Sequence, residues 1–93
     1  MRFVIAGFDR PGALEMRQKV RLAHLGDLES KAAQIRPGGP FLDEDDQSVG
    51  SVLIVEAANR AAAEASAADD PYHDERVFER VEIRPWRAVL GAW

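Results

Sequence analysis

Cysteine is missing altogether from the 93 residues, which excludes disulfide staples, thiol nucleophiles and thiolate metal sites together. Histidine occurs twice, at His24 and His73, and neither belongs to an HxxxH or HExxH pattern, so no metal and no cofactor is expected. No apolar run approaches the roughly 20 residues of a membrane-spanning helix. Met1-Arg2 leads straight into a short strand-like run rather than a basic segment and an apolar leader. A cytoplasmic protein with no membrane partner is the expectation. Nor is there a surplus of positive charge: 12 Lys and Arg against 16 Asp and Glu give a net charge of −4, so nucleic acid is not an expected partner. Internal repeats and linkers rich in Gly, Ser or Pro are also lacking, and residues 1–93 read as a single domain. Large apolar side chains are scarce. Of 43 hydrophobic residues 15 are alanine, leaving 28 for a core in a chain whose length buries roughly 60–65% of its unfolded surface. Such a domain packs economically or gains burial from a partner.

What is present comes in short patterned pieces. β-Branched and aromatic residues at 2–9, stopped by Asp9-Arg10-Pro11-Gly12, predict a strand, and a helix is predicted over 11–28 with Glu15 near its positive end. Residues 34–42 carry Pro37 and Pro40, which fit only an edge or bulged strand. An acidic turn at 43–47 joins this segment to the clearest strand, 49–56, as a hairpin; it lacks the ligand spacing of a calcium loop and reads as solvated. Asn59 suits the cap of an alanine-rich helix ending near Asp69, stopped by Asp70-Pro71. Ala57, Ala58, Ala61, Ala65 and Ala68 are expected to let that helix lie close to the sheet. After a short irregular turn, Val81 and Ile83 alternate with Arg80, Glu82 and Arg84 in a last strand over 77–89. This order predicts an α+β, ferredoxin-like βαββαβ fold: a four-stranded antiparallel sheet with two helices on one face. Because Phe3, Ile5 and Phe8 occupy both parities of the first strand, the open sheet face is apolar too, and a homodimer through that face is expected.

Chemistry concentrates on the first helix. At 100° per residue Ala13, Leu14, Val20, Leu25 and Leu28 share an arc, with Glu15, Gln18, Lys19 and Glu29 largely opposite. Within the arc Arg17, Arg21, His24 and Leu28 follow i, i+4, i+7, i+11, which lines up two guanidinium groups and an imidazole. A buried unpaired charge costs several kcal/mol, so this row is paired, snorkels to an edge, or lines a cavity. Pairing with Asp9 or Glu82 accounts for the row without any function. His24 is otherwise the best candidate for proton transfer, whereas His73, among Asp74, Glu75 and Arg76, reads as solvated. Pro71 holds Asp70 extended, so a meeting with His24 would orient the ring. Ser51 lacks a nucleophile elbow and suits a hydrogen bond to substrate, and Gly38-Gly39 suits a bulge or a close approach of backbone or ligand.

Asp9-Arg10-Pro11-Gly12-Ala13-Leu14, Arg17, Arg21-Leu22-Ala23-His24-Leu25, Gly39-Pro40, Gly50-Ser51, Asp70-Pro71-Tyr72 and Phe78 through Trp86 together resemble the YciI-like (YCII-related) family. The resemblance implies the dimeric α/β-barrel form of the ferredoxin-like fold and a pocket around His24 and Asp70 as an acid/base pair. Ser51 and Arg21 map to that pocket, and Arg17 and Tyr72 are expected beside them at the substrate. In chemistry, the family points to dehydrochlorination of a chlorinated hydroxyquinol, and so to a lyase- or isomerase-like proton transfer on a small cyclic or carbonyl substrate. The alternative is a non-catalytic dimer that binds a small anion in the same pocket, since two arginines beside a histidine suit an anion equally well. A purely structural dimer would show no pocket there.

Overall fold

Strict alternation sets the first strand. In the computed structural model, which describes residues 1–91 apart from the side chain of Arg36, β1 (Arg2–Asp9) turns Phe3, Ile5 and Gly7 to one face and Val4, Ala6 and Phe8 to the other. A helix α1 (Leu14–Ser30), strands β2 (Ile35–Leu42) and β3 (Ser48–Glu56), helices α2 (Arg60–Ala68) and α3 (Pro71–Asp74), and strand β4 (Phe78–Trp86) follow. The sheet order is β2-β3-β1-β4 with every pair antiparallel, the ferredoxin-like arrangement. Register carries the alternation across the sheet. Phe3, Ile5 and Gly7 lie opposite Val55, Leu53 and Ser51 on one side and Pro85, Ile83 and Val81 on the other.

Four differences from the sequence reading have physical causes. The helix begins at Leu14, not Pro11, because Pro11-Gly12 forms a turn in which Gly12 takes a left-handed φ of 75° that no helix accommodates. β4 stops at Trp86 because its one neighbour, β1, begins at Arg2, the partner of Trp86. The expected irregular turn after Asp70 contains a third, one-turn helix, α3, with Pro71 in its first turn. Asn59 caps α2 as expected, its side chain accepting from Ala62 N at 2.9 Å, but the inward residues are Ala63, Ser66 and Ala67. Ala58, Ala61, Ala65 and Ala68 face solvent and Ala57 is half-buried. Alanine lies on every side of this helix, so composition carries no phase; Asn59 and the fixed position of Asp70 set it.

The apolar core is small and sits under α2: Phe3, Ile5, Leu53, Val55 and Ala63, flanked by Leu28, Ile35, Val81 and Ile83. Each large side chain buried there contributes roughly 1.5–3 kcal/mol. Under α1 the interior changes character. Arg17, His24, Ser51 and Asp70 are buried, while Leu22 and Leu25 of the same helix are exposed. The open face of the sheet carries Val4, Ala6, Phe8, Val52, Ile54 and Phe41, with Phe8 and Phe41 stacked at 5.6 Å, while its β4 edge is charged: Arg84, Glu82 and Arg80 lie opposite Val4, Ala6 and Phe8.

Candidate functional site

Asp70 is placed by backbone chemistry before it meets any other side chain. It is the N-cap of α3, with φ −67° and ψ 125°, and its Oδ1 accepts the Tyr72 amide at 2.9 Å. The same oxygen lies 2.8 Å from His24 Nδ1, both side chains being buried. Since Oδ1 is the acceptor for Tyr72, Nδ1 donates to it, and in the neutral ring the lone pair resides on Nε2. Among the described residues Nε2 makes no hydrogen bond and no buried side-chain nitrogen or oxygen lacks a partner, so Nε2 opens onto the cavity that His24 lines.

The cap also fixes Tyr72, the chain's one tyrosine, directly behind the imidazole. The two rings stack with centroids 3.9 Å apart and planes 16° from parallel, and the Arg17 guanidinium lies 4.3 Å from the same phenol ring. Burial pushes the Tyr72 hydroxyl above its usual pKa; the charge of Asp70 adds to this, and the nearby cations Arg17 and Arg21 oppose it without cancelling it.

Arg17 lies two helical turns before His24 on the same inward stripe. Its Nε donates to Asp9 Oδ2 at 2.7 Å, and its Nη2 donates to Asp9 Oδ1 at 2.8 Å and to Ser51 Oγ at 3.0 Å. Burial alone would pull its pKa down, but the hydrogen bonds and charge of Asp9, with a further contribution from Tyr72, outweigh burial and hold it above the ordinary value. Of the two carboxylates named as possible partners, Asp9 is the one used; Glu82 pairs with Arg84 at 2.8 Å. Arg21, one turn before His24, is exposed at the cavity rim and makes no hydrogen bond or ion pair among the described residues.

Because buried groups of α1 pack on α3, a cavity of about 410 Å³ is left between α1 and the β2–β3 hairpin. Arg17, Arg21, His24, Ser51 and Tyr72 line it, together with Leu14, Leu25, Leu28 and Leu53. Gly38 lies at the β2 irregularity, where a Cβ would come 2.7 Å from Leu53 Cδ2, so the residue that admits the bulge also keeps this wall thin. Asp70 stands behind His24, outside the lining. Sequence reasoning placed Gln18 on the far side of α1, read Asp46 and Gln47 as part of a solvated turn and assigned nothing to Ser48, yet all four line the cavity. Gln18 lies three residues before Arg21, a spacing that carried the signal; the hairpin-tip residues reach the site only through the fold. His73 is exposed, as its polar neighbours suggested.

A sheet of order β2-β3-β1-β4 with its helices on one face, holding a His–Asp pair against a cavity under α1, defines a ferredoxin-like α+β domain with a small-molecule-sized site. The YCII-related domain matches residues 1–87, and the chain belongs to that family. It is 34% identical over 98 residues to protein YciI of Escherichia coli and, equally, to an uncharacterised protein of Haemophilus influenzae, covering 97% of this chain and all of each relative. Among solved structures it is similar to the 5-chloro-2-hydroxyhydroquinone dehydrochlorinase of Burkholderia phenoliruptrix in complex with 2,5-dihydroxybenzoquinone, at 34% identity and a TM-score of 0.87 over 94% of both chains. An antibiotic biosynthesis monooxygenase, at 20% identity and a TM-score of 0.57 over 97% of this chain and 100% of that one, shares the fold alone. No helix among the described residues is long and apolar enough to cross a membrane.

Proposed function

We propose that this protein is an acid/base enzyme of the YciI type, acting on a small cyclic or carbonyl-bearing molecule in the cavity under α1, with His24 as the base and Asp70 as its orienting partner. The observation that carries the reading is the 2.8 Å contact of His24 Nδ1 with an Asp70 oxygen already fixed by the Tyr72 amide. In the neutral ring that contact puts the proton on Nδ1 and leaves the Nε2 lone pair toward the ligand space, the arrangement a general base requires. When Nε2 takes a proton, the ring becomes a cation held by the Asp70 carboxylate and stacked on the electron-rich face of Tyr72. The proton's bonding electrons form a new double bond in the substrate, and a chloride leaves with its own electron pair, so HCl is lost overall. The likeness to a dehydrochlorinase supports this class of reaction. Arg21, unpaired at the rim, offsets negative charge on the substrate or on the departing anion.

The test is turnover of chlorinated hydroxyquinols, followed by chloride release. His24→Asn should lower kcat by about 10²–10⁴-fold, the usual contribution of a general base, with the fold intact. Unchanged turnover in His24→Asn would remove the assignment, and binding without turnover in the wild-type protein would favour the anion-binding alternative.

The apolar part of the open sheet face supports a second copy of this chain as partner, since Val4, Ala6, Phe8, Val52 and Ile54 lie there with no helix among the described residues over them, beside the charged β4 edge of Arg80, Glu82 and Arg84. A homodimer closed through this face supplies burial that 28 large apolar residues give sparingly within one chain.

A further inference from the structure

Ser51 sits in an asymmetric environment. Its hydroxyl has one proton to donate and two lone pairs to accept with. Arg17 Nη2 donates to one of those lone pairs at 3.0 Å, and Arg17 cannot accept anything in return. That same Nη2 sends its other proton to Asp9 Oδ1, while Nε bonds Asp9 Oδ2, so the guanidinium is clamped in plane at both ends. All three side chains are nearly dry: those of Arg17 and Asp9 are 6% exposed and Ser51 as a whole is 6% exposed. The hydroxyl proton of Ser51 is used by no protein acceptor among the described residues, and the residue lines the cavity.

We infer that Asp9 and Arg17 are positioning residues that orient the Ser51 hydroxyl to donate into the cavity, so that the cavity favours a ligand presenting an anionic or carbonyl oxygen to Ser51. This rests on the reading of the cavity as the ligand site and adds the ligand's polarity to it. A ligand hydroxyl that must itself donate finds one of the two Ser51 lone pairs already taken by a cation and the other on an oxygen polarised by it, so it binds less well than an acceptor oxygen. Ser51 and Arg21 present donors to the cavity, and His24 Nε2 presents an acceptor one turn beyond Arg21 on α1; Gln18, Asp46 and Gln47 add further acceptor oxygens to the lining. The complementary molecule carries an acceptor oxygen on one edge and a removable proton on another, which describes an enolisable ketone or a hydroxylated quinone-type ring. As charge develops on the oxygen during proton removal, a donor polarised by a buried guanidinium strengthens its hold.

The probe is 2,5-dihydroxybenzoquinone, whose acidic enol hydroxyls give an absorbance change on deprotonation. In the wild-type protein the bound probe should deprotonate at lower pH than the free probe. Ser51→Ala should weaken binding by about 10- to 100-fold, the range of a hydrogen bond to a charged acceptor, and should move the bound probe's titration upward. Ser51→Thr, which keeps the hydroxyl, should restore most of both. Arg17→Lys keeps a cation opposite Asp9 but cannot span both Asp9 oxygens and Ser51, so it should lose part of the affinity and part of the shift while remaining folded. In a paired Asp9→Asn/Arg17→Met background, which leaves no lone buried charge, Ser51→Ala should cost less than in the wild type. Equal affinity in Ser51→Ala, equal weakness in Ser51→Ala and Ser51→Thr, or no binding of the probe to the wild type would each overturn the donor role. A wild-type titration shift in Arg17→Lys would overturn the positioning role. None of these readouts needs turnover, so a failed chloride-release assay would remove the proposed reaction and leave this inference standing.

Discussion

Replacing Asp70 separates two duties that one carboxylate oxygen performs. Oδ1 caps α3 through the Tyr72 amide and also accepts from His24 Nδ1, at 2.9 and 2.8 Å. Removing the cap by Asp70→Ala costs about 1 kcal/mol. Losing the buried bond to His24, one partner of which is charged, costs about 1.5–3 kcal/mol more. The total, about 2.5–4 kcal/mol, is a large part of the 5–15 kcal/mol typical of a domain and lowers the melting temperature by roughly 10–30 °C at this chain length. Asp70→Asn keeps an oxygen for both donors and should cost only about 1 kcal/mol, the difference between a charged and a neutral acceptor. In catalysis the ranking disappears. Both variants remove the charge that stabilises a protonated His24, so both should lose about 10²–10⁴-fold in turnover. Urea unfolding and chloride release measured on the same preparations check both halves. Coincident unfolding midpoints for Ala and Asn would refute the double hydrogen bond, and wild-type turnover in Asp70→Asn would refute the role of the charge.

Three further outcomes follow from other contacts. Burial raises the Tyr72 pKa above its ordinary 10.0, so the folded chain keeps this proton where the unfolded chain has lost it; the stabilisation is complete below pH 10 and is lost as pH rises through the folded value. Alkaline unfolding followed by the phenolate absorbance of the single tyrosine should show this, and Tyr72→Phe should flatten the loss of stability above pH 10. At Gly7 a Cβ would stand 2.6 Å from the Phe78 ring, so Gly7→Ala should destabilise by about 1–3 kcal/mol; Gly50→Ala, whose Cβ would stand 2.6 Å from the Gly7 carbonyl oxygen, should cost at least as much because backbone yields less than a ring. Finally, if the open sheet face closes a homodimer, the urea midpoint should fall on dilution together with sedimentation mass; a concentration-independent midpoint and a monomeric mass would exclude it.

The order of the four strands and two longer helices, the hairpin, the Asn59 cap and the inward run of Arg17 and His24 were legible in the chain, because each follows from local periodicity or from the side chain nearest a turn; the one-turn helix α3 was not. Thin signals failed where the sequence is degenerate. Alanine on all sides of α2 hid which face is buried, and the exposed Leu22 and Leu25 show that apolar identity alone misplaces the inner face of α1 when that face holds paired charges.

Sequence by itself determined the fold class, since alternating strands and a single capped helix register admit few arrangements, and it singled out His24, Asp70, Arg17, Arg21, Ser51 and Tyr72 as candidate site residues. Tertiary structure alone decided how they divide. His24 and Asp70 stand 46 positions apart, and Arg17 and Ser51 stand 34 apart. Only the sheet register and the α3 cap bring each pair within hydrogen-bond reach. Hydrogen bonds have short range and fixed direction, so the split into a His24–Asp70 pair, an Asp9–Arg17–Ser51 chain and an Arg21 with no hydrogen bond or ion pair among the described residues is set by distances that no linear spacing encodes.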